Sequence, residues 1–255
     1  MNTRILLAGL AVAMVGWAQG GRGPAPPPPL GRPGAPYDLT GYWVSVVTED
    51  WRFRMIPAPK GDFQGVPLNP EGARVGNTWD PAKDEAEGNA CKSYGAAAIM
   101  RVPTRLHITW QDDLTLKVET DAGTQTRVMH FAGAPPAGTP ASWQGFSVAN
   151  WERQLGRSRG GQGQPGAGDS RGGSLKVMTS QIKAGYLRKN GAPYSANASV
   201  TEYYDLLLGP DNEQWLIVKT VVTDPTYLLR PMTTSTNFKK QANASGWNPG
   251  PCYTK

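Results

Sequence analysis

Residues 105–131 read RLHITWQDDLTLKVETDAGTQTRVMHF, and this stretch decides the fold. Leu106, Ile108 and Trp110 alternate with Arg105, His107 and Thr109, and Leu114, Leu116 and Val118 alternate with Thr115, Lys117 and Glu119. Neighbouring side chains of a strand point to opposite faces, so a period of two marks half-buried strands. Residues 111–113 and Asp121-Ala122-Gly123 supply turns short enough to demand antiparallel neighbours. With turns at those positions, the alternation gathers His107, Lys117, Glu119 and Arg127 on one surface. It places His130 on the other, with Ile108, Leu116 and Val128.

Working outward, the same pattern predicts strands over 42–48, 124–131, 145–151, 175–182, 198–208, 214–223 and 233–239, about nine in all. Only 80–91 carries a helical pattern, and no strand–helix–strand spacing occurs, which argues against a parallel sheet. The expected fold is all-β. It is an antiparallel barrel or strongly curved sheet of about eight to ten strands, because closure removes exposed edges.

Composition bounds the rest. The 255 residues include 23 Pro and 31 Gly, and charged residues make up 18%, below the usual ~25%, so neither a coiled coil nor an acidic disordered chain fits. Arg4, an apolar run over 5–17 and small residues around Ala18 and Gly20 have the anatomy of an export signal at 1–20. The run is shorter than the ~20 residues of a bilayer span, and no later stretch is apolar enough, so no stable membrane span is expected. The expected location is periplasmic or secreted. Residues 21–36, with Pro26 to Pro29 consecutive, read as a Pro/Gly-rich tether to a single β-barrel domain over 37–255. The Gly/Arg-rich stretch 153–174 reads as a flexible loop. That loop holds +3 of the chain's net charge of +6, so no basic face for nucleic acid is indicated. Export favours a disulfide between Cys91 and Cys252 over two buried thiols or a metal pair, since neither has a second Cys or a His at ligand spacing.

No phosphate-binding loop, His-Glu-x-x-His, Cys-x-x-Cys or nucleophile elbow occurs, so no cofactor or metal is called for. With two histidines, a three-His zinc site is impossible. The informative residues are amphipathic rings: nine Trp and nine Tyr against five Phe. Such rings pack with one face and hydrogen-bond at the rim, and serve either as barrel plugs or as stacking platforms for flat ligands. Trp43, Trp110, Trp151 and Tyr204 are the ligand-binding candidates. His107, Glu119, Arg127, Glu202 and Asp224 are the acid–base candidates, provided a dry lumen tunes them.

The start Asp38-Leu39-Thr40-Gly41-Tyr42-Trp43 resembles the Gly-x-Trp opening strand of lipocalins and related calycin barrels. The resemblance implies that Trp43 closes the barrel base beside a basic residue of the last strand, Lys239 or Lys240. Thr223-Asp224-Pro225-Thr226-Tyr227 resembles the lipocalin Thr-Asp-Tyr motif, with Pro-Thr inserted. Across 90–252, the order Cys91, Pro103, Glu119, Arg127, Trp151-Glu152, Gly191-x-Pro193-x-Ser195, Thr201-Glu202, Asp224-Pro225-x-Tyr227 and Cys252 resembles a group of exported bacterial proteins without an established activity. Members of that group commonly carry Trp-Glu-Gly-Asp where Glu152 here meets the Arg/Gly-rich insertion, and His-Ser where this chain has Tyr194-Ser195.

The resulting expectation is an exported, lipocalin-like barrel that binds a small, partly apolar or aromatic molecule in its cavity. An isomerase, lyase or hydrolase on the same barrel is the alternative, and requires Glu119, Arg127 and Glu202 to converge in one cavity. A structural envelope module, using the tether and the basic loop, is a third reading. Nothing in the sequence sets the ligand's identity or the oligomeric state.

Overall fold

A computed structural model describes residues 29–153 and 173–254. The expected export signal, the first half of the Pro/Gly tract and most of the Gly/Arg-rich loop lie outside the described residues. The barrel strands are β1 (Gly41–Val46), β2 (Arg105–Asp112), β3 (Thr115–Thr120), β4 (Gln125–His130), β5 (Phe146–Arg153) and β6 (Gly173–Ser180). A small hairpin of β7 (Gly185–Tyr186) and β8 (Pro193–Tyr194) follows, then β9 (Ser199–Leu208), β10 (Gln214–Thr223) and β11 (Met232–Gln241). Nine strands close a barrel in the order β1-β11-β10-β9-β6-β5-β4-β3-β2, while β7 and β8 form a separate two-stranded sheet. The chain is thus an all-β barrel.

The sequence reading allowed only antiparallel neighbours, and one junction differs. β4 and β5 run parallel and share two residue pairs, Met129 with Ser147 and His130 with Val148. The reason is parity. Antiparallel neighbours must alternate in direction, and an odd number of strands cannot alternate all the way round a closed ring.

Inward positions follow the period of two. Leu106, Ile108, Leu116, Val118, Met129, Leu175, Val177, Leu216, Val218 and Phe238 are buried in one cluster. Each buried aliphatic side chain contributes about 1.5–3 kcal/mol relative to exposure. The β3–β4 turn changes the expected faces. It spans four residues, pairing Thr120 with Gln125, rather than the three assumed. The backbone is left-handed at Gly123 and Thr124 (φ 76° and 48°), and a Cβ on Gly123 would lie 2.4 Å from the Tyr94 ring. One extra residue inverts every side chain that follows. Arg127 therefore faces inward opposite Val118, and His130 faces outward opposite Thr115, stacked on Phe146 at 4.7 Å.

The two ends of the barrel differ. At the base, Trp43 donates its Nε1 hydrogen to Leu39 O at 2.9 Å, and the Lys240 ammonium sits 4.4 Å over the Trp43 ring. The tract expected to be a free tether is docked here in its described part. Arg32 N donates to Asp113 O at 2.7 Å, and Trp151 Nε1 donates to Gly31 O at 2.8 Å.

The other end is capped by the long β1–β2 connection. It holds α1 (Trp51–Met55), α2 (Pro70–Gly76) and α3 (Pro81–Ala86), where the sequence reading found helix only over 80–91. Asp80 caps α3 by accepting from Ala82 N and Lys83 N, and Asn69 caps α2 by accepting from Gly72 N, each followed by a Pro with its fixed φ. The cap has its own core of Val66, Ala96, Ile182, Leu187, Tyr194, Val222 and Leu228.

Cys91 in the cap and Cys252 in the C-terminal tail form a disulfide across a sequence separation of 161. The tail is also held by Gly250 N donating to Asp121 O at 2.9 Å and Thr124 Oγ1 donating to Gly250 O at 2.8 Å. Opening so long a loop restores much chain entropy to the unfolded state. Replacing both cysteines by Ser is expected to lower stability by up to about 5 kcal/mol in urea unfolding, with the far-UV dichroism of the barrel retained.

Candidate functional site

The acid–base candidates separate into three places. Arg127 and Glu202 meet inside the barrel as a bidentate pair, Nη1–Oε1 at 2.9 Å and Nη2–Oε2 at 2.6 Å. Tyr204 Oη lies 3.4 Å from Arg127 Nη1, and Thr179 Oγ1, itself bonded to Ser147 Oγ, lies 3.3 Å from Nη2. Both charged side chains are 0% exposed, so no water-sized space touches either. Burial penalises the Arg127 charge, and the Glu202 carboxylate with the Tyr204 hydroxyl outweighs it, holding the guanidinium above its ordinary range.

Glu119 is not part of this group. On the outer face it lies 3.1 Å from both His107 Nδ1 and Lys117 Nζ, with Tyr42 stacked on the imidazole at 4.2 Å. Such half-exposed pairs contribute about 0–1 kcal/mol. Asp224 is a buried turn organiser, accepting from Ser195 N and Ser195 Oγ (both 2.7 Å) and from Thr226 N (2.9 Å). The convergence of Glu119, Arg127 and Glu202 in one cavity, on which the barrel-enzyme reading depended, does not occur.

The aromatic candidates lie in the core or packed against it, and Trp110 also lines a cavity of about 350 Å³ with Tyr37 and Asp38. Trp43 plugs the base, and Tyr204 is fully buried in the core. Trp110 and Trp151 flank Phe131 at 5.4 and 5.7 Å, and Tyr37 meets Trp151 edge-on at 5.4 Å. A lumen filled by this cluster and by the Arg127–Glu202 pair corrects the expectation of a hollow interior around those residues.

Further space lies at the capped mouth. A cleft of about 470 Å³ runs between α1, the 3₁₀ turn Ile99–Arg101, residues 187–189 and Tyr253. Phe53, Tyr94, Val102 and Leu187 give it apolar walls, and Arg54, Arg101, Arg188 and Lys189 give it charge. Arg188 stacks on the Phe53 ring at 4.3 Å, donates Nη1 to Gln64 O at 2.6 Å and places Nη2 3.5 Å from Asp50 Oδ2. Arg101 Nη2 donates to the same Asp50 oxygen. Arg54 is engaged at all three nitrogens, by Arg101 O, Glu49 Oε1 and Ser45 Oγ. Lys189 Nζ donates to Tyr94 Oη at 2.6 Å. Burial, and after it the charge of Arg101, lowers the pKa of Arg188; burial chiefly lowers that of Arg54.

The sequence reading missed these residues. The local signals were the alternation Trp51-Arg52-Phe53-Arg54 and the pair Arg188-Lys189, but nothing in the sequence joins the two segments. Among the described residues no group of three or more His, Cys, Asp or Glu is placed to hold a metal ion, and no helix is long and apolar enough to cross a membrane. Compared with known proteins, the chain matches no family model, no curated protein and no solved structure.

Two outcomes follow from the buried polar groups. Glu202→Leu strands the guanidinium and is expected to cost about 3–5 kcal/mol in urea unfolding, while adding Arg127→Met recovers most of the loss. Burial raises the pKa of Tyr37, Tyr186, Tyr194 and Tyr204, helped by Asp205 at Tyr37, Asp84 at Tyr186 and Glu202 at Tyr204. These four keep their protons in the folded state when an unfolded tyrosine ionises near pH 10, so the unfolded state then binds fewer protons. Stability is expected to be complete below about pH 10 and to fall as pH rises beyond it, with these four side chains adding their tyrosinate absorbance only as the chain unfolds.

Proposed function

We propose that the protein is an exported binder of a small, partly apolar molecule, and that it holds this molecule in the cleft at the capped mouth of the barrel. The observation that carries the reading is the cleft itself: about 470 Å³, walled by Phe53, Val102 and Leu187. Ligand sites are typically ~300–1,000 Å³, largely apolar with a few placed polar groups, and barrel mouths are among their preferred locations. A filled lumen leaves the barrel as a rigid support, with the ligand read by loops at one end.

The Cys91–Cys252 disulfide supports an oxidising compartment, in line with the signal anatomy at 1–20. Support for a lipocalin-like base comes from Gly41-x-Trp43 with Lys240 over the indole. The nine strands and one parallel junction distinguish this barrel from the eight-stranded lipocalin meander.

Protein purified from its own host is expected to retain a small-molecule adduct in native mass spectrometry. Val102→Trp, which fills the cleft, is expected to reduce adduct occupancy at least tenfold while leaving the far-UV dichroism and the melting temperature close to wild type. An adduct-free wild type, or an adduct that persists undiminished in Val102→Trp, overturns the reading.

A further inference from the structure

We propose that the ligand of this cleft is an organic anion: an apolar or aromatic body bearing one carboxylate or phosphate group, whose charge is read by Arg101, Arg188 and Lys189. The inference rests on the binding role proposed above and adds the chemical class.

Charge balance comes first. The residues lining the cleft include four cationic side chains and no carboxylate. The acids that partner them, Glu49 and Asp50, line a second cavity on the far side of Phe53, Arg101 and Arg188. Two carboxylates against four cations leave an excess of positive charge whose mutual repulsion is only partly offset. An entering anion removes that repulsion, a neutral molecule leaves it in place, and a cation adds to it.

Donor accounting then separates the structural cation from the others. A guanidinium offers five N–H donors. Arg54 has acceptors at each of its three nitrogens and is spent on holding α1 to the barrel. Arg101 and Arg188 instead share a single Asp50 oxygen, and among the described residues the side chain of Arg101 makes no other hydrogen bond. Arg188 is more than nine-tenths buried, and its Nε has no acceptor among the described residues. Lys189 gives one of its three donors to Tyr94 Oη. These three residues therefore retain donors for an acceptor that the chain does not itself provide. Planar forks suit carboxylate and phosphate oxygens, and hydrogen bonds between charged partners are roughly twice as strong as neutral ones.

The walls supply the other half of the ligand. Phe53, Val102, Leu187 and the Tyr253 ring enclose the cleft beside the cations. A bare inorganic ion would leave this surface unsatisfied, and a purely apolar molecule would desolvate the cations without compensation. A single molecule with an acidic head and an apolar body satisfies both.

The test is calorimetric titration of the full mature chain with matched probes: octanoate against 1-octanol, 2-naphthoate against 2-naphthol, octyl phosphate, octylammonium and inorganic phosphate alone. At least one organic anion is expected to bind ten or more times tighter than its neutral counterpart, with octylammonium and inorganic phosphate not binding measurably. Arg188→Gln is expected to weaken that anion at least tenfold without changing the neutral probe. Lys189→Gln, at a half-exposed position, is expected to weaken it several-fold. The adduct released from host-purified protein should ionise as an acid. Neutral probes binding as tightly as the anions, both variants leaving anion affinity unchanged, or a neutral host-derived adduct each overturns the anion assignment while leaving the binding role intact. No probe bound and no adduct retained removes both.

Discussion

A guanidinium in the middle of a β-barrel has no water to bond with, and its charge is tolerable only if a carboxylate meets it there. Arg127 and Glu202 satisfy this condition with two parallel hydrogen bonds. An unpaired charge in such a place would cost several kcal/mol after relaxation. The pair therefore constrains everything around it. β4 and β9 must hold their registers so that the two planes meet, and Tyr204, Thr179 and Ser147 must lie close by to share the polar load. With that network and the surrounding aliphatic side chains in place, the lumen is solid. Any ligand has to be met at an end.

The cap is what makes one end capable of this. Its own apolar core, from Val66 and Ala96 to Leu228, anchors loops that would otherwise lie loosely over the mouth. On that base, α1 brings Phe53 and Arg54 inward, the turn after Ala98 brings Arg101, and the β7–β8 hairpin region brings Arg188 and Lys189. The disulfide holds the tail so that Tyr253 completes the wall, while Tyr253 N donates to Tyr94 Oη at 3.3 Å. Four separate segments thus converge on the cleft.

The strands were legible because alternation is a local signal: 214–223 coincides with β10, and the others lie within a few residues of the observed bounds. Faces were less secure, since one uncounted turn residue at Thr124 separated Arg127 from the face of His107, Lys117 and Glu119 and turned it into the interior. The α2 helix had a readable start in Asn69-Pro70, the same cap-and-proline signal as Asp80-Pro81. The cleft was not legible. Its residues lie in segments around 53, 101, 188 and 253, with no shared period, and only the folded cap makes them neighbours. The Trp and Tyr residues that looked most like a ligand platform are those whose size the core needed.

The parallel junction has a further consequence. Its ladder stops at His130 and Val148, so among the described residues β5 from Ala149 onward has no strand beside it on that side. There the hoop is fastened by side chains: Trp110, Phe131 and Trp151 interlock across the seam, and the indole of Trp151 reaches Gly31 in the proline-rich segment laid over it. Proline cannot extend a sheet, so this cover both closes the seam and denies it to a strand from another molecule. The aromatic trio acts as a clasp on an otherwise continuous ring.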